Sequence, residues 1–133
     1  LIFEDGEQTR DFIHVSDIAR ANRLALEVES AVGEAINVGT GDPTSITELA
    51  EELIRRYGKE DELAPDITNE FRSGDIRHCF ADTSRAKELL NFEAEVSLES
   101  GLDELISWGL DSDATDNTDE AYSEMEEKGL IRD

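Results

Sequence analysis

Two arginines in segments without helical periodicity are the residues best suited to bind a ligand. Arg10 follows a predicted turn, and Arg72 lies in the polar stretch of residues 71–75. The planar guanidinium group matches a phosphate with two parallel, charge-assisted hydrogen bonds. In so acidic a chain the default alternative is an ion pair with a nearby carboxylate, such as Asp11 or Asp75. The residue types alone leave both interpretations open.

Patterns that would supply catalysis or hold a cofactor are missing from the sequence. No glycine-rich dinucleotide fingerprint follows a predicted strand. The Gly39-Thr40-Gly41 stretch has two glycines and is followed by Pro43, which favours a tight turn over a phosphate cradle. Tyr57 and Tyr122 both lack a lysine four residues later. We therefore predict no catalytic, cofactor-binding or metal-binding residue within the chain.

Charge and cysteine content narrow the possible partners. The 133 residues carry 34 Asp and Glu against 12 Lys and Arg, a formal charge of −22, which argues against nucleic acid and anionic membranes as partners. The charge is spread along the chain, only three residues are lysines, and this composition predicts a protein from a halophile. A single cysteine, Cys79, excludes an internal disulfide and fits a reducing cytoplasm.

The first third of the chain predicts a hairpin, a helix and a strand. Asp5-Gly6 between two apolar-rich runs is typical of a hairpin turn. Ser16 is expected to cap a helix with Asp17 in its first turn, ending at Gly33. Residues 35–38 read as a short buried strand.

Three further helices are predicted from capping signals. Ser45 and Glu48 form a capping box, and later helices begin at Asp82 and Ser97. Trp108 is expected in the core of the last of these. Residues 111–133 hold nine acidic and two basic side chains and read equally as a short helix or a solvated tail. We predict a lobe over residues 1–110 and an acidic extension over residues 111–133.

Four motifs, in order and in register over residues 1–110, resemble the extended short-chain dehydrogenases that act on nucleotide sugars. Residues 5–19 resemble D-G-x-Q-x-R-D-F-x-x-V-x-D-x-A, and residues 37–49 resemble N-x-G-T-G followed by S-I-x-E-L. Residues 72–86 resemble R-x-G-D-x-R and A-D-x-S-K-A, and residues 98–108 resemble L-x-x-G-L followed by W. The nearest branch is similar to UDP-glucose 4-epimerase.

The resemblance implies a two-lobed, NAD-dependent enzyme, with a nucleotide-sugar 4,6-dehydratase as the alternative activity. In the family an N-terminal Rossmann lobe binds NAD and carries the catalytic residues. The present chain would then be the mixed α/β substrate-binding lobe, inactive alone, of a parent that forms a homodimer. An acidic interaction domain without enzymatic function is the alternative outside this class.

The resemblance also implies roles for individual residues. Arg10 and Arg72 would bind the nucleotide diphosphate together, and Asp75 would accept a hydrogen bond from a ribose hydroxyl. The nucleotide pocket would be lined by Phe12 and Ile46, with Gln8 near the same wall.

Overall fold

The computed structural model describes residues 1–113 and 115–132. Helices and short strands are mixed, as predicted for the fold class. The helices are α1 (Val15–Glu27), α2 (Ile46–Arg56), α3 (Ser84–Leu90), α4 (Leu98–Leu110) and α5 (Thr118–Glu127), with a 3-10 turn at Glu29–Ala31. The strands are β1 (Thr9–Asp11), β2 (Pro43–Ser45), β3 (Phe71–Arg72), β4 (His78–Cys79) and β5 (Ile131–Arg132).

The chain divides into two compact units that interleave in sequence. Unit 1 comprises Leu1–Gln8, Ser45–Arg77 and Glu104–Asp133. Unit 2 comprises Thr9–Thr44 and His78–Asp103. Residues after Leu110 therefore group with the start and middle of the chain, and the predicted division at residue 110 stays a prediction.

Unit 2 is built on a small apolar core between α1 and α3. Its buried members are Ala21, Ala31, Ala86, Leu90 and Phe92. Asn91 adopts the left-handed conformation (φ 49°) that ends α3, so that the Phe92 amide bonds to the Ala86 carbonyl at 3.1 Å. The turn thus directs Phe92 inward, where it is 1% exposed.

The predicted N-terminal hairpin is wrong. β1 pairs in parallel with β4, in a sheet of order β2-β1-β4, and the segment before Gly6 does not return along β1. Ile2 instead forms a parallel bridge with Ile67 in unit 1. The Asp5 side chain accepts from the Glu7 amide at 3.0 Å, and this Asx-type turn redirects the chain where a hairpin turn would have reversed it.

Two other local predictions for unit 2 need correction. Helix α1 starts one residue before Ser16, because the His14 side chain accepts from the Ser16 amide and acts as the N-cap. The helix also ends at Glu27, ahead of Gly33. Residues 35–38 form no strand. Ile36 and Val38 pack against the core, so the alternation of apolar residues reflects the burial of these side chains and not hydrogen bonding to another strand.

Helix α2 begins as predicted. The Ser45 hydroxyl accepts from the Glu48 amide at 3.1 Å, and the Glu48 carboxylate accepts from the Ser45 amide at 2.8 Å. Both bonds satisfy donors that a helix start leaves unpaired. Gly58 follows the C-cap with φ 63°, as expected of a terminating glycine.

The end of the chain mixes confirmed and wrong predictions. Leu102 and Ile106 of α4 are buried, but Trp108 is 68% exposed, so its placement in the core is wrong. Residues 118–127 form helix α5, which favours the helical alternative for the acidic segment. Among the described residues, no helix has the length and apolar character needed to cross a bilayer.

Candidate functional site

Arg72 and Asp75 lie together in unit 1. The Arg72 Nε donates to Asp75 Oδ2 at 3.0 Å, and Arg72 Nη2 lies 2.9 Å from the same oxygen. The guanidinium carbon also lies 5.7 Å from the centre of the Phe3 ring, within cation–π range. The ion-pair alternative therefore holds for Arg72 in the ligand-free chain. Its side chain is 46% exposed, so the remaining donors are accessible to a ligand.

The polypeptide on either side of Arg72 is fixed to the N-terminal segment. On one side, the Glu4 amide donates to the Glu70 carbonyl at 2.8 Å. On the other side, Arg77 donates to the carboxylates of Glu4 at 2.9 Å and Asp5 at 2.5 Å. Bonding to Arg77 lowers the pKa of Asp5 from 3.8 to about 2. Residues 71–75, hereafter the Arg72 loop, thus span two anchored points.

Ile46 is the first residue of α2, also in unit 1. Its amide donates to the Gln8 carbonyl at 3.0 Å, and its side chain is half-buried. Gln8 itself is 6% exposed, and its Nε2 donates to the Phe3 carbonyl at 2.9 Å. These contacts give both residues a structural role, and their part in a nucleotide pocket stays a prediction.

Asp11 organises the part of unit 2 that carries Arg10 and Phe12. Its Oδ1 accepts from the Thr40 amide at 2.8 Å and the Thr40 hydroxyl at 2.6 Å. Its Oδ2 accepts from the Gly41 amide at 2.9 Å and the Ala81 amide at 3.1 Å. Burial alone would raise the pKa of Asp11, but these hydrogen bonds outweigh it and lower the pKa. One carboxylate therefore ties β1 to two loops.

A fully buried carboxylate, Asp17, lies in the first turn of α1, as predicted, and is 1% exposed. It accepts from the amides of Glu95 at 2.9 Å and Val96 at 3.0 Å, and from Arg20 at 2.6 Å. Burial opposes ionisation, yet these bonds lower the pKa of Asp17. Sequence reasoning identified the helix position but not the connection to residues 95–96, which are remote in sequence.

Arg10 and Phe12 flank Asp11. Arg10 Nη1 donates to the Thr9 carbonyl at 2.8 Å. Phe12 lines a cavity of about 530 Å³ within unit 2, together with the Gly39–Thr40 turn. Four carboxylate residues share that wall: Asp42, Glu93, Glu95 and Glu99. No Lys or Arg is among the lining residues, so the cavity repels a diphosphate and suits uncharged groups with hydroxyls.

The predicted site residues fall in both units. Ile46, Arg72 and Asp75 belong to unit 1, and Arg10 and Phe12 belong to unit 2. The convergence of Arg10 and Arg72 on one ligand therefore stays a prediction. Among the described residues, no group of three or more His, Cys, Asp or Glu side chains is arranged to hold a metal ion.

The sequence profile described as GDP-mannose 4,6 dehydratase matches residues 1–105. The chain belongs to this family. The match confirms the resemblance to nucleotide-sugar enzymes and stops short of helix α5 and strand β5.

Individual relatives agree with the family. The dTDP-L-rhamnose 4-epimerase of Burkholderia thailandensis is 35% identical over 107 residues, which are 80% of this chain and 29% of that protein. The crystal structure of UDP-glucose 4-epimerase with UDP-glucose from Thermotoga maritima is similar at TM-score 0.69 and 38% identity, over 82% of this chain and 35% of that one.

A third similar structure is UDP-glucuronic acid 4-epimerase from Bacillus cereus in complex with NAD. The TM-score is 0.62 and the identity 34%, over 76% of this chain and 31% of that one. The chain thus spans about a third of the length of these relatives.

Proposed function

We propose that the chain is the nucleotide-sugar-binding portion of an NAD-dependent nucleotide-sugar 4-epimerase. Arg72 binds the diphosphate, and Asp75 accepts a hydrogen bond from a ribose hydroxyl. Ile46, at the start of α2 in the same unit as Arg72, lines the nucleotide pocket. The main support is the Arg72–Asp75 pair, held on a doubly anchored loop in a chain whose relatives include an epimerase solved with UDP-glucose.

The electrostatics of the Arg72 loop fit this role. In a chain of net charge −22, the half-exposed guanidinium group of Arg72 is a positive charge to which an anion can bind. The existing ion pair does not oppose ligand binding strongly, because exposed pairs contribute only about 0–1 kcal/mol. Several charge-assisted hydrogen bonds to a diphosphate, each about 1.5–3 kcal/mol, are enough to reorganise it.

The residues of this chain do not fit NAD. The amides of Thr40 and Gly41, in the glycine-containing turn, donate to the Asp11 carboxylate and are not available to a pyrophosphate. The neighbouring cavity is acidic. We propose that NAD and the catalytic groups belong to a part of the parent outside these 133 residues, and that this chain alone is inactive.

Titration of the chain with uridine diphosphate, followed by calorimetry, tests the binding proposal. Arg72→Ala should weaken the affinity at least tenfold, or about 1.4 kcal/mol. Arg55→Ala is the matched control, since Arg55 also pairs with an acid three residues away in unit 1. Equal effects of the two substitutions would assign Arg72 a purely structural role, and an absence of affinity in the unsubstituted chain would favour a non-enzymatic acidic domain.

The 4,6-dehydratase activity named in the family description is the second candidate. Product analysis on the full-length parent separates the two. An epimerase returns a sugar of unchanged mass, whereas a dehydratase releases water and leaves a 4-keto-6-deoxy sugar. Turnover by the 133-residue chain with UDP-glucose and NAD would refute its proposed inactivity.

A further inference from the structure

Residues 118–132, hereafter the C-terminal segment, fold back onto the Arg72 loop within unit 1. Strand β5 pairs antiparallel with β3, with Phe71 opposite Arg132 and Arg72 opposite Ile131. Just beyond the pair, the Ser73 amide donates to the Leu130 carbonyl at 2.7 Å. Within the described residues, β5 is the only strand that shares a sheet with β3.

Tyr122 of α5 makes a second connection to the same place. Its ring stacks on Phe3, with 6.3 Å between ring centres and 7° between planes. Its hydroxyl donates to Glu70 Oε2 at 2.7 Å. The Arg72 guanidinium group lies over the other ring of this stack, that of Phe3, so one side chain separates Tyr122 from Arg72.

The anchors at residues 70 and 77 hold the ends of the Arg72 loop, and only weaker contacts remain for Arg72 itself. Its ion pair with Asp75 is half-exposed, and such pairs contribute about 0–1 kcal/mol. A two-residue strand such as β3 has no stability of its own. The C-terminal segment contributes backbone hydrogen bonds to β3 and a stacked aromatic ring, and neither of these neutralises the charge of Arg72. The contacts of the segment therefore orient the guanidinium group and leave it able to bind an anion.

We propose that the C-terminal segment is a positioning element for the diphosphate-binding arginine, with Tyr122 as its principal positioning residue. The segment lies beyond the residues that match the family profile. That the bound group is a diphosphate rests on the proposed function. The ordering of the Arg72 loop by the C-terminal segment does not depend on that function.

Three variants and one control test the positioning. Tyr122→Leu removes the stack and the hydroxyl, whereas Tyr122→Phe keeps the stack. A chain ending at Lys128 keeps helix α5 and removes β5 together with the Leu130 carbonyl that accepts from Ser73. Tyr57→Leu is the control, because Tyr57 is a half-exposed tyrosine of unit 1 at the C-cap of α2.

Hydrogen exchange of the Arg72 loop is the first measurement. We expect exchange over residues 71–75 to accelerate at least tenfold in Tyr122→Leu and in the shortened chain, because both release a local closed state. Tyr122→Phe should change it less than about threefold, and Tyr57→Leu should not change it. The hydrogen-bonded amide of Glu48, at the start of α2 in unit 1, reports whether a variant has unfolded the whole unit. Unchanged exchange at residues 71–75 in both loosened variants overturns the proposal.

Uridine diphosphate affinity is the second measurement. It should fall about tenfold in Tyr122→Leu and stay within about threefold in Tyr122→Phe. If binding requires Arg72 but is unaffected by a loosened loop, the positioning role is wrong while the proposed function stands. If the unsubstituted chain does not bind, the proposed function fails, and hydrogen exchange alone decides whether the segment orders the loop.

Discussion

Replacing Asp11 by asparagine tests whether one carboxylate holds unit 2 together. The two side chains have the same shape, so the change removes acceptors and charge without leaving a cavity. If the remaining oxygen keeps the two bonds from Thr40, the new NH₂ group faces the amides of Gly41 and Ala81, which are themselves donors. A buried donor without a partner costs about 1–3 kcal/mol. Because Asp11 is only half-buried, water satisfies part of the lost bonding, and the two donors together predict a loss of about 1–3 kcal/mol.

Urea unfolding measures that loss. With a slope of about 1–3 kcal/mol per M, the midpoint should fall by about 1 M. Asp42→Asn is the control, because Asp42 is exposed and such substitutions stay within about 0.5 kcal/mol. An Asp11→Asn variant as stable as this control would refute the reasoning.

The pH dependence gives an independent check on Asp11. Its folded pKa lies below the ordinary 3.8, so its contribution is complete above that value and is lost as the pH falls through the depressed folded pKa. The asparagine variant should lack this part of the acid-unfolding curve. A curve that keeps its full steepness in the variant would contradict the assignment.

Three further predictions concern packing and charge. Gly39→Ala should destabilise the chain by about 1–3 kcal/mol, because the added methyl meets the Asp11 carboxylate and lies 2.6 Å from the Cβ of residue 81. A melting temperature equal to that of the unsubstituted chain would show that the turn relaxes freely. Asp5→Asn should flatten the loss of stability between pH 4 and pH 2, since the folded pKa of Asp5 is lowered to about 2 by Arg77 and its contribution is lost as the pH falls through that value; identical acid titrations of the two proteins would exclude this contribution. Melting temperature should rise steeply between roughly 0.1 and 3 M KCl if the charge of −22 reflects adaptation to salt, and a flat or falling curve would reject the halophilic hypothesis.

Local signals in the sequence predicted the helices well and the strand pairings poorly. Both bonds of the capping box join Ser45 and Glu48, which stand three residues apart, so the local sequence is enough to predict it. The partner of β1 is β4, almost 70 residues away, and no short-range pattern encodes that choice. The Asp5-Gly6 dipeptide favoured a hairpin because such turns are frequent, while the actual bonding partners of the N-terminal segment lie at residues 66–70.

The family motifs account for the neighbouring placement of Arg72 and Asp75, and the role of these residues in binding stays a prediction. Arg72 and Asp75 were identified together because they stand three residues apart in one motif. Asp11 was considered only as a partner for Arg10, since its true partners come from two loops that are distant in sequence. Trp108 was assigned to the core from its size and helical spacing, but its position on α4 is outside the buried stripe formed by Leu102 and Ile106.

The interleaving of the two units also sets the order in which the chain can fold during synthesis. Unit 2 has all of its residues once position 103 has left the ribosome, whereas unit 1 waits for strand β5 at positions 131–132. At about 5–20 residues per second, the delay is on the order of seconds. During that interval the segments of unit 1 already made are exposed without their C-terminal partner, and a ribosome stalled just short of β5 would release a chain in which only one of the two units is complete.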